Sequence, residues 1–463
     1  MDRTLAVILF ILAFFVMFFA YPAGPLAVLF GAVCAIVAIN FINRSFTGDE
    51  QIFLRRLFII ALMLRVVLAT VTYVFELQHF FGGDSITYDR AGNELQRYWF
   101  GYASEATEYH EYYLGFATRG TGSGFGMAYI VAVIYSVVGR NPLAIQLFNS
   151  VLGAATACLI YVCAQKVFSN NRVAKVAAVL VGVFPSLVLW SSQGLKDGII
   201  CFLLALAINN LLSLQKKFNY NDVALLLVAL IGIYTLRFYI FFAFTVAIVG
   251  AYFISTQKSV SSIAKQTAVL VVITLGLTYL GVLRNAQENI DTYSSLESLQ
   301  NSRIDQARNA ESGFGQDFDV STPSGALQVL PLGLTYLMLA PFPWEVRNFR
   351  QLMTLPEVLL WWALVPFLVS GVWYTLNNKL RSSIAIILLT LLLTISYAIF
   401  QGNVGTAYRM RAQMLIFYFI FIAVGLTTWQ EKRENNQLAR KIGKQRMMQQ
   451  AFIREQNRLK SFN

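Results

Sequence analysis

Long blocks of apolar residues dominate this sequence and limit what the chain can fold into. Many of them run for about 17 to 25 residues, the length at which an α-helix crosses the hydrocarbon core of a bilayer. Charged residues make up 13% of the chain, whereas a soluble domain carries about a quarter. The sequence therefore predicts an all-α polytopic membrane protein. It excludes a disordered chain, a coiled coil, a disulfide scaffold and a soluble enzyme with a single membrane anchor.

Windows that are long and apolar enough to span a membrane occur at about twelve places. They are 4–20, 24–42, 53–77, 143–165, 174–191, 198–214, 222–236, 238–255, 266–284, 357–376, 382–400 and 412–429. Two further apolar stretches, 124–138 and 326–340, are shorter or interrupted by Gly and Pro. We expect them to be juxtamembrane helices on the outer face. The predicted architecture is a transmembrane bundle over 1–429 with polar outer segments at about 78–142 and 284–357.

The placement of charge predicts the orientation of this bundle, whose chain carries a formal net charge of +12. If the N-terminus is cytoplasmic, every predicted inner loop is basic, as the positive-inside rule requires. Both termini are then cytoplasmic and both polar segments face outward. We expect an integral protein of the bacterial inner (plasma) membrane with its active site facing the periplasm or exterior. The tail, 430–463, predicts a basic helix attracted to anionic lipids, with docking of a partner as the alternative.

An acidic residue opens the first outer segment. Asp84 follows two glycines that allow a close backbone approach, and an acid at a membrane boundary suits a general base for an acceptor hydroxyl. The alternative is a solvated acid that caps a helix over 86–98. Asp89 and Arg90 come next in the same segment, and we expect them to take part in substrate binding.

Basic residues recur at the predicted outer ends of later spans. Lys196 and Asp197 occupy a short outer turn, Arg237 stands between two apolar runs, and Arg409 and Arg411 lie in the last outer turn. Basic side chains at headgroup depth suit a phosphate, and Asp197 could hold a sugar or Lys196. The structural alternatives are a self-compensated Lys196–Asp197 pair and a snorkelling Arg237.

The sequence gives no indication of a metal or another cofactor. The four cysteines lie inside apolar runs and the two histidines are far apart, so neither residue type shows a metal-ligand spacing. We therefore expect no cofactor, with a divalent cation as an alternative that the sequence does not indicate.

The order of these features resembles the GT-C superfamily of membrane glycosyltransferases, particularly the branch of protein O-mannosyltransferases and the lipid A aminoarabinose transferase. Members have an Asp in the first outer loop just after a span, as Asp84 is here, and then juxtamembrane helices. A span similar to 141–153, a basic inner turn similar to 166–175 and a Pro-containing outer end similar to 184–186 follow.

The resemblance implies roles for two acids. Asp84 falls on the family's catalytic acid, and Asp197 falls near a second acidic position in the next outer loop. Ser85 stands where the family often has Glu, and two extra spans precede the one that leads to Asp84. The match covers about the first half of the chain, and 408–411 is similar as well.

The sequence as a whole predicts a glycosyltransferase. Nucleotide sugars are cytoplasmic, so a transferase on the outer face needs a sugar donor carried by polyprenyl phosphate or diphosphate, and the acceptor is a glycan, lipid or protein. One alternative is a Wzy-like polysaccharide polymerase or O-antigen ligase, which would share the outer loops and arginines without needing Asp84. A second is a lipid-linked glycan flippase, whose charges should run through the bundle. A nucleic-acid partner is not expected, because the basic residues follow the membrane topology.

Overall fold

The computed structural model describes residues 7–8, 11–12, 15, 24–81, 83–102, 108–118, 124–255, 260–279, 282, 295–308, 312–346 and 348–460. Their side chains are described as well, except at 81, 108–110, 255, 260–266, 268–270 and 451–460. Within these ranges the protein is helical and has no β-strand; one isolated bridge joins Gly313 to Asn403. The prediction of an all-α polytopic fold is confirmed.

The helices of the first half are α1 (Gly24–Ser45), α2 (Gly48–Val74), α3 (Gln78–Phe81), α4 (Asp84–Trp99), α5 (Glu108–Thr118), α6 (Phe125–Val138), α7 (Pro142–Phe168), α8 (Asn171–Val183), α9 (Pro185–Ser191) and α10 (Lys196–Lys216). Those of the second half are α11 (Tyr220–Leu236), α12 (Phe238–Ser255), α13 (Val260–Tyr279), α14 (Leu296–Arg308), α15 (Pro323–Leu339), α16 (Phe349–Asn378), α17 (Leu380–Phe400) and α18 (Val404–Lys460).

Seven of the described helices are long and apolar enough to cross a membrane: α1, α2, α7, α10, α16, α17 and α18. The bent pair α8 and α9 makes eight if it is one span, and four shorter apolar helices lie at Phe125–Val138, Tyr220–Leu236, Phe238–Ile254 and Pro323–Leu339. The predicted count of twelve is therefore not confirmed. The first predicted window, 4–20, lies mostly outside the described residues.

The span predicted over 174–191 is bent by 57° where α8 meets α9. Pro185 has no N–H, so it cannot bond the carbonyl of Val181 one turn earlier. The guanidinium of Arg65, which is 1% exposed, donates to the carbonyl of Gly182 at 2.7 Å and to that of Val181 at 3.4 Å. It also donates to Ser191 Oγ at 2.7 Å, so one buried arginine from α2 joins both sides of the break.

The bundle core forms around α7, α10 and α18, whose apolar windows are 72%, 72% and 78% buried. α7 packs on α1, α2, α8 and α10, while α18 packs on α8 and α16. Small residues allow the closest approach: a Cβ on Gly371 would lie 1.8 Å from the carbonyl oxygen of Phe421, and one on Gly425 would lie 2.1 Å from that of Phe367. Such contacts are typical of helices packed in membranes.

The second polar segment, at about 284–357, is hydrogen-bonded to the turn before α18. The backbone N–H of Phe314 donates to Gly402 O at 2.8 Å, and that of Val404 donates to Ser312 O at 3.1 Å. Arg303 of α14 is buried and donates to Ile399 O at 2.7 Å. The start of α18 is therefore held by contacts from a distant part of the chain.

Candidate active site

Four parts of the chain meet at one end of the bundle: the starts of α4, α10 and α18, and the turn between α11 and α12. Asp197 lies at the centre and its side chain is fully buried. Arg237 Nη2 lies 2.7 Å from Asp197 Oδ1, and Arg409 Nε lies 2.6 Å from Asp197 Oδ2. These residues are 40 and 212 positions from Asp197 in sequence, so the site forms only when the bundle assembles.

Burial explains why Asp197 has two arginine partners. A charge removed from water needs opposite charges and hydrogen bonds in good geometry. Asp197 also lies in the first turn of α10, where the helix dipole favours a negative charge. Its oxygens are occupied by Arg237 and Arg409, so Asp197 positions these two guanidinium groups.

Asp84 is the exposed member of the group. Its side chain is 53% accessible, and its Oδ2 lies 2.8 Å from Arg409 Nη1. Gly83 is the N-cap and Asp84 is the first residue of α4, so the helix begins two residues earlier than predicted. No side-chain cap forms there; the Asp84 carboxylate bonds Arg409, which thereby connects the exposed acid to the buried one.

Lys196 lies beside this group in a narrow space. A Cβ at Gly124, where φ is +97°, would lie 2.9 Å from Lys196 Nζ and 3.0 Å from Tyr88 Oη. Glycine at 124 thus leaves room for both polar groups. Burial raises the pKa of the Tyr88 phenol, and the Asp84 carboxylate raises it further, so Tyr88 stays a neutral hydroxyl.

Several neighbours of the group were not predicted from the sequence. Gln413 Nε2 donates to Asp197 Oδ1 at 3.3 Å, and Arg237 Nη1 donates to the Tyr239 hydroxyl at 2.7 Å. The Trp190 ring lies 5.9 Å from the guanidinium carbon of Arg409, within cation–π range. Helical spacing could have found Gln413, which follows Arg409 by four residues and therefore shares its face of α18.

Arg411 lies apart from this group. Its guanidinium is buried and donates to Met338 O at 3.0 Å and Ala340 O at 3.3 Å, at the carboxyl end of α15. It also lies over the rings of Trp361 and Tyr408. Of the four predicted phosphate donors, Lys196, Arg237 and Arg409 come together and Arg411 does not.

Asp89 and Arg90 lie one turn or more beyond Asp84 on α4. Asp89 Oδ2 lies 2.6 Å from Arg140 Nη2, and Asp89 Oδ1 accepts from the Tyr135 hydroxyl. Arg90 donates to the Tyr113 hydroxyl at 3.1 Å. These two residues therefore contact side chains of α5, of α6 and of the segment between α6 and α7, away from Asp197.

A metal site is not evident in the part of the chain that the structure describes. Within those ranges no three or more His, Cys, Asp or Glu side chains are grouped so as to hold a metal ion. The two carboxylates of the candidate site are bridged by Arg409.

Comparison with known proteins matches part of this chain to a family. Residues 123–282 match the family described as dolichyl-phosphate-mannose-protein mannosyltransferase. This match, which extends over part of the chain, supports a GT-C membrane glycosyltransferase. The matched part of the chain includes Gly124, Lys196, Asp197 and Arg237, and the resemblance to the GT-C superfamily predicted from the sequence is confirmed.

Solved structures similar to this chain include the archaeal oligosaccharyltransferase AglB from Archaeoglobus fulgidus in complex with an inhibitory peptide and a dolichol-phosphate. The TM-score is 0.43 at 13% identity, over 82% of this chain and 51% of that one. The apo form of the Archaeoglobus fulgidus enzyme gives a TM-score of 0.45 at 12% identity, over 82% and 51%. The chain thus spans about half the length of these proteins, and a comparison with curated proteins gives no match.

Proposed function

We propose that the protein transfers a sugar from a polyprenyl phosphate or diphosphate donor to an acceptor on the outer face of the membrane, with Asp84 as the general base. The observation that carries this proposal is the Arg409 bridge, which joins an exposed carboxylate to a buried, arginine-rich centre. The description of the matched family names a dolichyl phosphate donor, which supports a lipid-linked sugar.

The proposed reaction gives one role to Asp84 and another to the arginine-rich centre around Asp197. The acceptor oxygen forms a bond to the anomeric carbon of the sugar, and its proton passes to Asp84. The bond from that carbon to the phosphate oxygen breaks, and the polyprenyl phosphate leaves with the electron pair. Negative charge grows on the phosphate as it leaves, so positioned donors on that side stabilise the transition state.

Arg409 and Lys196 are the donors that support this phosphate site. Arg409 Nη2 is buried and has no hydrogen-bond partner among the described residues. An unpaired charged donor is costly, and a phosphate oxygen would satisfy it. Arg237 lies deeper, at 1% exposure, and stabilises the centre through Asp197.

One substitution tests both the assignment of Asp84 as the general base and the assignment of the protein as an enzyme. Asp84→Asn keeps the shape of the side chain but cannot take up the acceptor proton, so turnover should fall by about two to four orders of magnitude. Asp319→Asn is the matched control: Asp319 lies in the second polar segment and accepts from Ser321 N–H at 2.9 Å, a bond that Asn retains. Near-normal transfer by Asp84→Asn in membranes supplied with a radiolabelled lipid-linked sugar would remove Asp84 as the base.

The charge distribution supports an orientation with this site outside and the tail inside. A cysteine at Ser312, placed in a chain that lacks the four native cysteines, should react in intact cells with a thiol reagent that does not cross membranes. A cysteine at Asn436 in the tail should react only after the cells are opened. Labelling of the tail cysteine from outside would reverse the orientation.

A further inference from the structure

A cavity of about 520 Å³ lies against α4, beside the candidate active site. Its walls come from the end of α2, the segment leading to α3, the first turns of α4, helix α6 and the start of α7. This volume is within the range of small-ligand sites, about 300 to 1,000 Å³. We call it the α4 cavity.

The charges that line the α4 cavity balance one another. Two acids, Glu76 and Asp89, face two arginines, Arg90 and Arg140, and Asp89 is paired with Arg140 at 2.6 Å. A phosphate site would carry an excess of positive charge and a cation site an excess of negative charge. The lining therefore suits a neutral ligand.

The polar groups of the lining offer both donors and acceptors. They include the Ser85 and Tyr135 hydroxyls and the Gln78 and Gln146 amides. Groups of this kind match sugar hydroxyls, each of which donates and accepts a hydrogen bond. A sugar ring also presents apolar C–H faces, and Val131 and Ile145 supply apolar surface.

Gln146 is the strongest sign that a ligand belongs there. Its side chain is 2% exposed and lines the α4 cavity, and its Oε1 has no hydrogen-bond partner among the described residues. A buried amide oxygen without a donor is costly, so a hydroxyl donated by a ligand would stabilise it.

The α4 cavity reaches the proposed base through neighbouring residues. Ser85, which follows Asp84, lines it, and so does Gly194 in the turn before Lys196. A Cβ on Gly194 would lie 3.6 Å from that of Ser85, so this turn runs along the cavity wall. The cavity wall thus includes a residue next to the acid in sequence and a residue two positions before Lys196 of the basic centre.

We propose that the α4 cavity binds the neutral sugar end of the acceptor, a glycan of one or two rings whose hydroxyl Asp84 deprotonates. This proposal rests on the proposed function for its link to Asp84. Asp89, Arg90 and Gln146 then act as acceptor-binding residues, and the phosphate side of Arg409 is left to the donor.

Ligand-detected saturation-transfer NMR on the full chain in nanodiscs tests the proposal. The probes are maltose, cellobiose, lactose and mannobiose, with cellobiouronic acid as the anionic comparison. At least one neutral disaccharide should bind, and Gln146→Leu should weaken it by about tenfold, the effect of one buried hydrogen bond. Gln165→Leu is the matched control, because Gln165 lies near the other end of α7 and its Oε1 also has no partner among the described residues.

A second variant tests the cavity independently, and a second binding measurement shows whether each variant is folded. Ile86→Trp fills the α4 cavity from a half-buried position and should also abolish disaccharide binding. Binding of polyprenyl phosphate, measured on the same samples, reports whether each variant is folded and whether the donor site exists. The proposal is overturned if no neutral disaccharide binds, if both variants bind as the wild type does, or if the anionic probe binds more tightly. Disaccharide binding without polyprenyl phosphate binding would instead contradict the proposed donor and leave the cavity assignment standing.

Discussion

Arg409 and Arg411 lie two residues apart on α18 and have different surroundings. Two positions turn a helix by about 200°, so the two side chains leave it on opposite sides. Arg409 bonds the carboxylates of Asp84 and Asp197, whereas Arg411 bonds the carbonyls of Met338 and Ala340. A cation at the carboxyl end of a helix is favourable, so Arg411 stabilises the end of α15. The two arginines therefore differ in their partners, which are carboxylates for Arg409 and backbone carbonyls for Arg411, and this difference is the reason that we assign only Arg409 to the proposed phosphate site.

The largest expected effect follows from removing the charge between the two arginines. Asp197→Asn leaves Arg237 buried without a carboxylate and leaves Arg409 with Asp84 alone, and breaking a buried pair in this way costs about 3 to 5 kcal/mol. The midpoint of thermal unfolding in detergent should therefore fall steeply. An unfolding midpoint equal to that of the wild type would show that the centre is neutral or solvated.

The affinity for polyprenyl phosphate, on which we expect an intermediate effect, distinguishes the role of Arg409 from that of Arg411. Arg409→Gln should weaken the binding of polyprenyl phosphate by about 1.5 to 3 kcal/mol, the range for a charge-assisted hydrogen bond. Arg411→Gln makes the same change two residues away and should leave that affinity unchanged while it lowers thermal stability. Arg409→Lys should restore only part of the affinity, because one ammonium cannot serve both carboxylates as the guanidinium does. Isothermal calorimetry with polyprenyl phosphate in nanodiscs measures all three variants, and an equal loss in both Gln variants would contradict the distinction.

The smallest effect concerns a pair near the middle of the same helix, between Glu434 and Arg172 of α8. Arg172 Nη1 lies 3.1 Å from Glu434 Oε2, and the two side chains are 59% and 60% exposed. An exposed pair contributes about 0.2 to 1 kcal/mol and is screened by salt. Glu434→Gln should therefore shift the unfolding midpoint by little, and the shift should vanish in concentrated salt. A loss as large as that of Asp197→Asn would mean that Glu434 has a role beyond this contact.

The sequence predicted most helices because hydrophobic length is a local property. It could not give the number of spans, because α11, α12, α6 and α15 have similar lengths and apolar character, and only a membrane boundary distinguishes a span from a surface helix. The hydrophobic pattern also did not predict the bend at Pro185, because the apolar residues continue on both sides of this proline.

The candidate site was predicted in part for the same reason. Lys196, Arg237 and Arg409 were expected to meet because each lies at the same predicted end of a span. The sequence did not distinguish Arg411 from Arg409, because the distinction depends on which helices pack on each side of α18. The bridging role of Arg409 and the buried position of Asp197 likewise required contacts over 325 and 212 positions of sequence.

Helix α18 has a mechanical consequence. It runs for 57 residues without a proline, from Val404 to Lys460. At about 1.5 Å per residue this is a rod of roughly 85 Å, longer than a bilayer is thick. A rod without a hinge transmits rotation as well as translation, so the angle at which Arg409 faces Asp84 is tied to the angle at which the tail lies. We therefore expect a contact that fixes the orientation of the tail to fix the orientation of the Arg409 guanidinium as well.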